Sequence, residues 1–151
     1  MPFLDDNKIV LDIVGPNEEK YQKQLKEIIK KLKLNNRVKF VGPVYDLSKK
    51  IKIIDSAKIY VLPSLTEAMP QSLIEAMARE KIVIASKTPG AEEIIDNGKN
   101  GFLFKIGDYK DLADKINFAL HNHTNTGKKA RISVEKFSWK IILNKIETLI
   151  A

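Results

Sequence analysis

The sequence predicts an α/β protein with an open, doubly wound parallel sheet. Short apolar runs alternate along the chain with stretches of helical periodicity. The runs are nearly continuous in Ile, Val and Leu, as in parallel strands covered on both faces. The first three end in Gly, Pro, Asn or Ser, residues that turn the chain.

The elements follow in order. Residues 8–14 (KIVLDIV) read as a strand closed by a turn at Gly15, Pro16 and Asn17. Over residues 18–34, Tyr21, Leu25, Ile28, Ile29 and Leu32 recur at helical spacing. Residues 37–41 (RVKFV) are a second strand, ended by Gly42 and Pro43. Leu47–Ser56 is a short helix with Asp46 placed to cap it. Ile59–Leu62 is a third strand, stopped by Pro63 and Ser64. A helix spans residues 70–80, with Pro70 at the favoured first position. Ile82–Ser86 is the fourth strand and residues 101–104 a short fifth. Tyr109–His121 is a helix that Asp108 can cap, and residues 125–136 and 138–150 are two more. Strands separated by helices imply right-handed crossovers and, for five strands, an order of 2-1-3-4-5.

Composition narrows the function. The 151 residues are one domain's worth, expected to form a single domain over residues 1–151. With 44% hydrophobic and 30% charged residues the chain is neither disordered nor low in complexity. Cys is absent, which excludes disulfides, thiol catalysis and cysteine-ligated zinc. No apolar run approaches a membrane span and the first residues do not read as a signal peptide, so the expected location is cytoplasmic. The net charge of +7 favours anionic partners without choosing among them. Much of it is Lys20, Lys23, Lys26, Lys30, Lys31 and Lys33 in one helical pattern, read as a solvated face.

Sheets of this kind bind ligands outside the carboxyl ends of their strands, where the strand order reverses. That places the crevice between the first and third strands, with Gly15, Pro16 and Ser64 on its rim. The stretch PSLTEAMPQSLIE, residues 63–75, is the most informative. Its helix begins after Pro70, so amides near Gln71, Ser72 and Leu73 are expected to be free for a phosphate. Glu67 lies in the loop before that helix and Glu75 one turn beyond Gln71. Two carboxylates beside a phosphate cradle suit the hydroxyls of a sugar or ribose. Alternatively they simply favour the positive end of the helix.

At these residues the sequence resembles the large family of retaining GT-B glycosyltransferases, glycosyl transferases group 1. The resemblance rests on Glu67-x7-Glu75 together with VxFxGxV at 38–44, AxIYVLPS at 57–64, EAMA at 75–78, IVIAS at 82–86, NGxxGFL at 97–103 and FSW at 137–139. It covers roughly residues 9–150 and matches the family's C-terminal, donor-binding half, a Rossmann-like domain. It implies that Glu67 contacts the donor sugar as the catalytic residue and that Glu75 binds the ribose. Ala68, Met69 and Pro70, with the amides near Ser72 and Leu73, would hold the sugar and pyrophosphate. Val44, Tyr45 and Asp46 match the part of the family that lines the base. Ala68 stands where Gly is common, and Glu80, Lys81 and Ile82 where Gly-x-Pro is frequent.

The resemblance further implies a UDP- or GDP-sugar as donor substrate, with no separate cofactor, and a sugar or lipid-linked acceptor. No nucleic acid is expected, and the positive charge would favour peripheral contact with anionic lipid at the inner membrane face. The family's first strand, with its Arg and Lys, and the N-terminal acceptor-binding half have no counterpart in the sequence. Such cations stabilise the departing phosphate, so the chain is expected to be inactive alone, as a fragment, a truncated product or half of a split enzyme. Without that strand, the first and third strands would either pair with each other or await a partner.

Two other functions compete: a nucleotide-sugar epimerase, for which no clear cleft His is present, and a noncatalytic nucleotide- or partner-binding module. His121 and His123 lack the carboxylates that would complete a metal site. Residues 15–17 do not form the Gly-rich dinucleotide fingerprint, and nothing marks Ser64 or Ser72 as a nucleophile. Gly90, Glu92 and Glu93 read as a crevice rim or as a turn and helix start. Trp139 with Ile141, Ile142 and Ile146 reads as helix packing, part of it exposed.

Overall fold

A computed structural model describes residues 3–6, 8–16, 18–122 and 125–150. The chain divides within one helix into two compact units, residues 1–53 and 54–151.

The first unit holds strands β1 (Leu11–Val14) and β2 (Val38–Gly42), joined by helix α1 (Glu19–Lys31). The strands pair in parallel, Leu11 opposite Val38 and Ile13 opposite Phe40, with a register shift before Val14 meets Gly42. At Gly42 the backbone turns with φ of 81°, a conformation that favours glycine, and its carbonyl accepts from Gly15 N–H at 3.0 Å. The lysines of α1 and its C-terminal turn are exposed as expected, yet Tyr21, Leu25, Ile28 and Leu32 are exposed as well. Helix α1 buries none of its residues.

Helix α2 (Leu47–Ser56) crosses the division. Its start is set by Asp46, whose Oδ1 accepts from Lys49 N–H at 2.7 Å.

The second unit contains strands β3 (Ile59–Leu62), β4 (Ile82–Ser86) and β5 (Phe102–Phe104), parallel in the order β3-β4-β5. Helices α3 (Gln71–Ala78), α4 (Pro89–Glu92), α5 (Tyr109–His121) and α6 (Thr126–Val134) follow or connect them. A 3-10 turn (Glu135–Phe137) leads into α7 (Trp139–Ile150). Alternation along the strands sorts the core into two halves. Tyr60, Leu62, Val83, Ala85 and Leu103 pack with Leu73, Ala76 and Met77 of α3 and Ala130 and Val134 of α6. Ile59, Ile82, Ile84, Phe102 and Phe104 pack with Leu112, Ile116 and Ala119 of α5. The sheet of this unit is therefore covered on both faces, which is why its strands read as unbroken apolar runs.

Three expectations need correction. Among the described residues the five strands pair as two sheets, in the orders β1-β2 and β3-β4-β5, in place of a single 2-1-3-4-5 ladder. Strand pairing is set by long-range geometry, which an apolar run does not encode. Pro70 takes the N-cap position, with φ −77° and ψ 85°, and the helix proper begins at Gln71. Trp139 is 76% exposed, so its ring is not packed in a core. Residues 89–92 form the helix start that was one of two readings for that stretch.

Candidate functional site

The candidate site of the second unit lies at the carboxyl edge of β3 and β4. Strand β3 ends at Leu62, and Ser64 opens a loop that runs to Pro70. Two bonds hold this loop, one to the sheet and one to α4. The buried Ser86, last residue of β4, donates its hydroxyl to the carbonyl of Ser64, and its Oγ also lies 3.3 Å from the Leu62 carbonyl oxygen. The amide of Gly90, at the start of α4, donates to the carbonyl of Glu67 at 2.9 Å.

Gly90 is required by this approach. A Cβ there would lie 2.4 Å from the Ala68 carbonyl oxygen and 2.8 Å from that of Glu67, closer than real contacts allow. The backbone of Glu67 and Ala68 is therefore seated directly on the first turn of α4. The half-buried Glu67 side chain is fixed as well: Ser64 Oγ donates to its Oε1 at 2.7 Å. Its other oxygen, Oε2, makes no hydrogen bond among the described residues.

The loop then delivers the chain into α3. This helix has no side-chain cap and no acidic residue in its first turn. The amides of Gln71 and Ser72 have no acceptor among the described residues, whereas Leu73 N–H donates to the Pro70 carbonyl at 3.0 Å. Leu73 is also wholly buried in the core, so the expectation of a free amide there is not met. Tightening the first helical turn by this bond satisfies an otherwise orphaned donor. What remains is an amino end with two open donors and a partial positive charge, suited to an anion. Gln71 is exposed, Ser72 half-buried, and Glu75 half-buried one turn further along α3. Leu65 and Met69 expose 77% and 61% of their surface, giving the loop an apolar outer side.

Other expected site residues lie in the first unit. Gly15 follows β1 and is half-buried, and Pro16 is exposed. Val44 is half-buried and Tyr45 is 91% exposed, its ring unpacked. Asp46 is exposed, and one of its oxygens is already committed to capping α2. Asn17 and His123 lie outside the described residues. Among the described residues, no group of three or more His, Asp or Glu is placed to hold a metal ion. No described helix is long and apolar enough to cross a membrane.

Two residues of this region escaped the sequence reading. Ser86 was legible only as the end of IVIAS, although a hydroxyl closing an otherwise apolar strand is itself a signal. Thr88, 1% exposed at the N-cap of α4, has a hydroxyl with no hydrogen-bond partner among the described residues, and nothing in sequence marks it.

Comparison with known proteins gives this geometry a context. Residues 2–136 match the family model described as glycosyl transferases group 1. An uncharacterized glycosyltransferase of Haemophilus influenzae is 29% identical over 139 residues, covering 89% of this chain and 38% of that protein. The N-acetyl-alpha-D-glucosaminyl L-malate synthase of Bacillus anthracis is 31% identical, over 82% of this chain and 32% of its own length. The crystal structure of Anabaena Alr3699/HepE in complex with UDP and glucose superposes with a TM-score of 0.86 at 29% identity, covering 95% of this chain and 41% of that one. The chain thus spans well under half the length of these relatives. With its parallel sheets, its fold shared with such structures, and a family match over nearly all its residues, the chain belongs to the glycosyl transferases group 1.

Proposed function

We propose that the chain is the donor-binding, C-terminal part of a retaining GT-B glycosyltransferase. It takes a nucleotide sugar, with UDP or GDP as the nucleotide, and works with an N-terminal part that holds a sugar or lipid-linked acceptor. One observation carries this reading: an anchored acidic loop, Ser64 to Pro70, runs directly into a helix whose first turn offers two uncommitted amides and no carboxylate. A diphosphate suits that amino end, and hydroxyl-bearing rings suit the carboxylates of Glu67 and Glu75 on either side of it. The UDP and glucose held by the Anabaena structure support a ligand of this class.

In this reading Glu67 is the catalytic residue. Its Oε2 accepts from hydroxyls of the sugar while the α3 amides near Gln71 and Ser72 stabilise charge that develops on the departing diphosphate. Ala68, Met69 and Pro70 shape the approach to the sugar. Glu75 accepts from the ribose, and Val44, Tyr45 and Asp46 line the base. We assign residues 1–151 together to nucleotide-sugar binding. Catalysis at the inner face of a membrane is the setting we infer, favoured by the net charge of +7. We infer further that the chain alone binds donor without transferring sugar, the cations that neutralise the leaving phosphate coming from the larger enzyme. A missing donor to such charge costs about 10²–10³ in rate.

Calorimetric titration of the chain with UDP-glucose and GDP-mannose tests the reading. Binding of one of them, weakened at least about tenfold by Glu67→Ala and by Glu75→Ala, is the expected result. Binding indifferent to both substitutions removes the basis for the assignment, and sugar transfer by the chain alone contradicts the inference of inactivity.

A further inference from the structure

The Glu67 carboxylate is not free to turn. Ser64, three residues earlier, donates its hydroxyl to Oε1 at 2.7 Å, while Gly90 holds the same residue's carbonyl at 2.9 Å. Ser64 is itself anchored, because its own carbonyl accepts from the buried hydroxyl of Ser86 on β4. A side chain in a connecting loop would otherwise sample several rotamers, and immobilising it only on binding would cost affinity. Here that cost is met by the fold, through a chain of bonds from strand to loop to carboxylate.

We propose that Ser64 is a positioning residue for sugar recognition, a step that rests on the donor-binding reading above. With Oε1 committed to Ser64, Oε2 keeps one orientation and its lone pairs remain to accept from hydroxyls of a hexose ring. The bond therefore acts on the sugar and not on the nucleotide. It sets how much tighter the sugar-bearing donor binds than the bare nucleoside diphosphate.

The test is a comparison of two affinities in each of four forms of the whole chain. UDP and UDP-glucose, and likewise GDP and GDP-mannose, are titrated into the unaltered chain, Ser64→Ala, Ser64→Thr and Glu67→Ala, with thermal melting run alongside. Ser64→Ala is expected to lower affinity for the sugar-bearing donor about tenfold while leaving the nucleoside diphosphate unchanged. Ser64→Thr, which keeps the hydroxyl, restores most of the loss. If Glu67→Ala abolishes the sugar-dependent gain but Ser64→Ala retains it, the positioning role is wrong and the donor-binding reading stands. Equal weakening toward nucleotide and nucleotide sugar in Ser64→Ala also overturns the role, since it reports only loop disorder. Absence of binding by the unaltered chain to all four probes overturns both ideas.

Discussion

Single atoms decide how the candidate site is held. Gly90 is the clearest case, since an added methyl would meet the Ala68 carbonyl at 2.4 Å. Main chain on both sides leaves nothing flexible to yield. Gly90→Ala should therefore cost about 1–3 kcal/mol, the usual cost of overpacking, read as a lower urea midpoint. It should also loosen the Glu67 loop, seen as faster amide exchange over residues 64–70. Thr88 predicts the opposite sign. Its hydroxyl is buried without a partner among the described residues, and removing a group in that state relieves an uncompensated desolvation cost. Thr88→Val, nearly the same shape, should raise stability by about 1 kcal/mol, or about 2–4 °C in melting temperature for a protein of this size. A lower melting temperature in Thr88→Val would mean that the hydroxyl has a partner in solution.

Between elements, the ends of helices and strands are tied by ions as well as by packing. Arg79, just past α3, makes a bidentate pair with Asp55 of α2, and Lys81 donates to the Asp55 carbonyl at 2.7 Å. The Arg79 guanidinium bonded to it holds the Asp55 carboxyl below its ordinary value of 3.8. A carboxyl whose folded pKa is depressed contributes stability above its unfolded value and loses it as pH falls through the folded one. The stability difference between the unaltered chain and Arg79→Ala should thus be constant near neutrality and shrink as pH drops below 3.8. Both side chains are more than a third exposed, so the difference should also be small and should fall in about 1 M salt. Denaturant melting across pH and salt checks both trends, and a difference that persists unchanged at low pH would show packing and not charge.

At this same scale the sequence was most readable. Leu47–Ser56, Ile59–Leu62, Ile82–Ser86 and Tyr109–His121 occupy the predicted ranges, because local periodicity and punctuation specify them. Asp108 accepts from Lys110 and Asp111 amides as a cap, and Asp46 caps α2. The ties that shape the site were hidden for the converse reason. Gly90 lies against a backbone more than twenty residues away, and Ser86 at the end of β4 reaches Ser64 just past the neighbouring β3. Only the bond between Ser64 and Glu67, three residues apart, is local in sequence. The pairing of β1 with β2 and of β3 with β4 is long-range too, and no single run of residues announces it.

For the whole chain, burial is distributed unequally between the two units. Every buried apolar side chain among the described residues falls between Ile54 and Val134. Among its described residues the first unit buries Gly42 alone, while Val10, Leu11, Val14, Tyr21, Leu25, Ile28 and Leu32 remain exposed. Burying a Leu or Val side chain contributes roughly 1.5–3 kcal/mol, so the second unit gains most of the apolar stabilisation. Backbone pairing of β1 with β2 does not compensate, since two strands without a buried face are marginal in water. Opening of the first unit should therefore cost less free energy than global unfolding. Native-state hydrogen exchange measures this directly. Amides of Val83, Ile84 and Ala85, wholly buried in β4, should exchange only through global unfolding, with a strong dependence on denaturant. Amides of β1, β2 and α1 should exchange faster and with a weak dependence, reporting a local opening. Equal protection in both units would show that apolar surface exposed on α1 and β1 is covered in solution, for instance by self-association, and repeating the exchange at several protein concentrations would separate that case from intrinsic stability of the first unit.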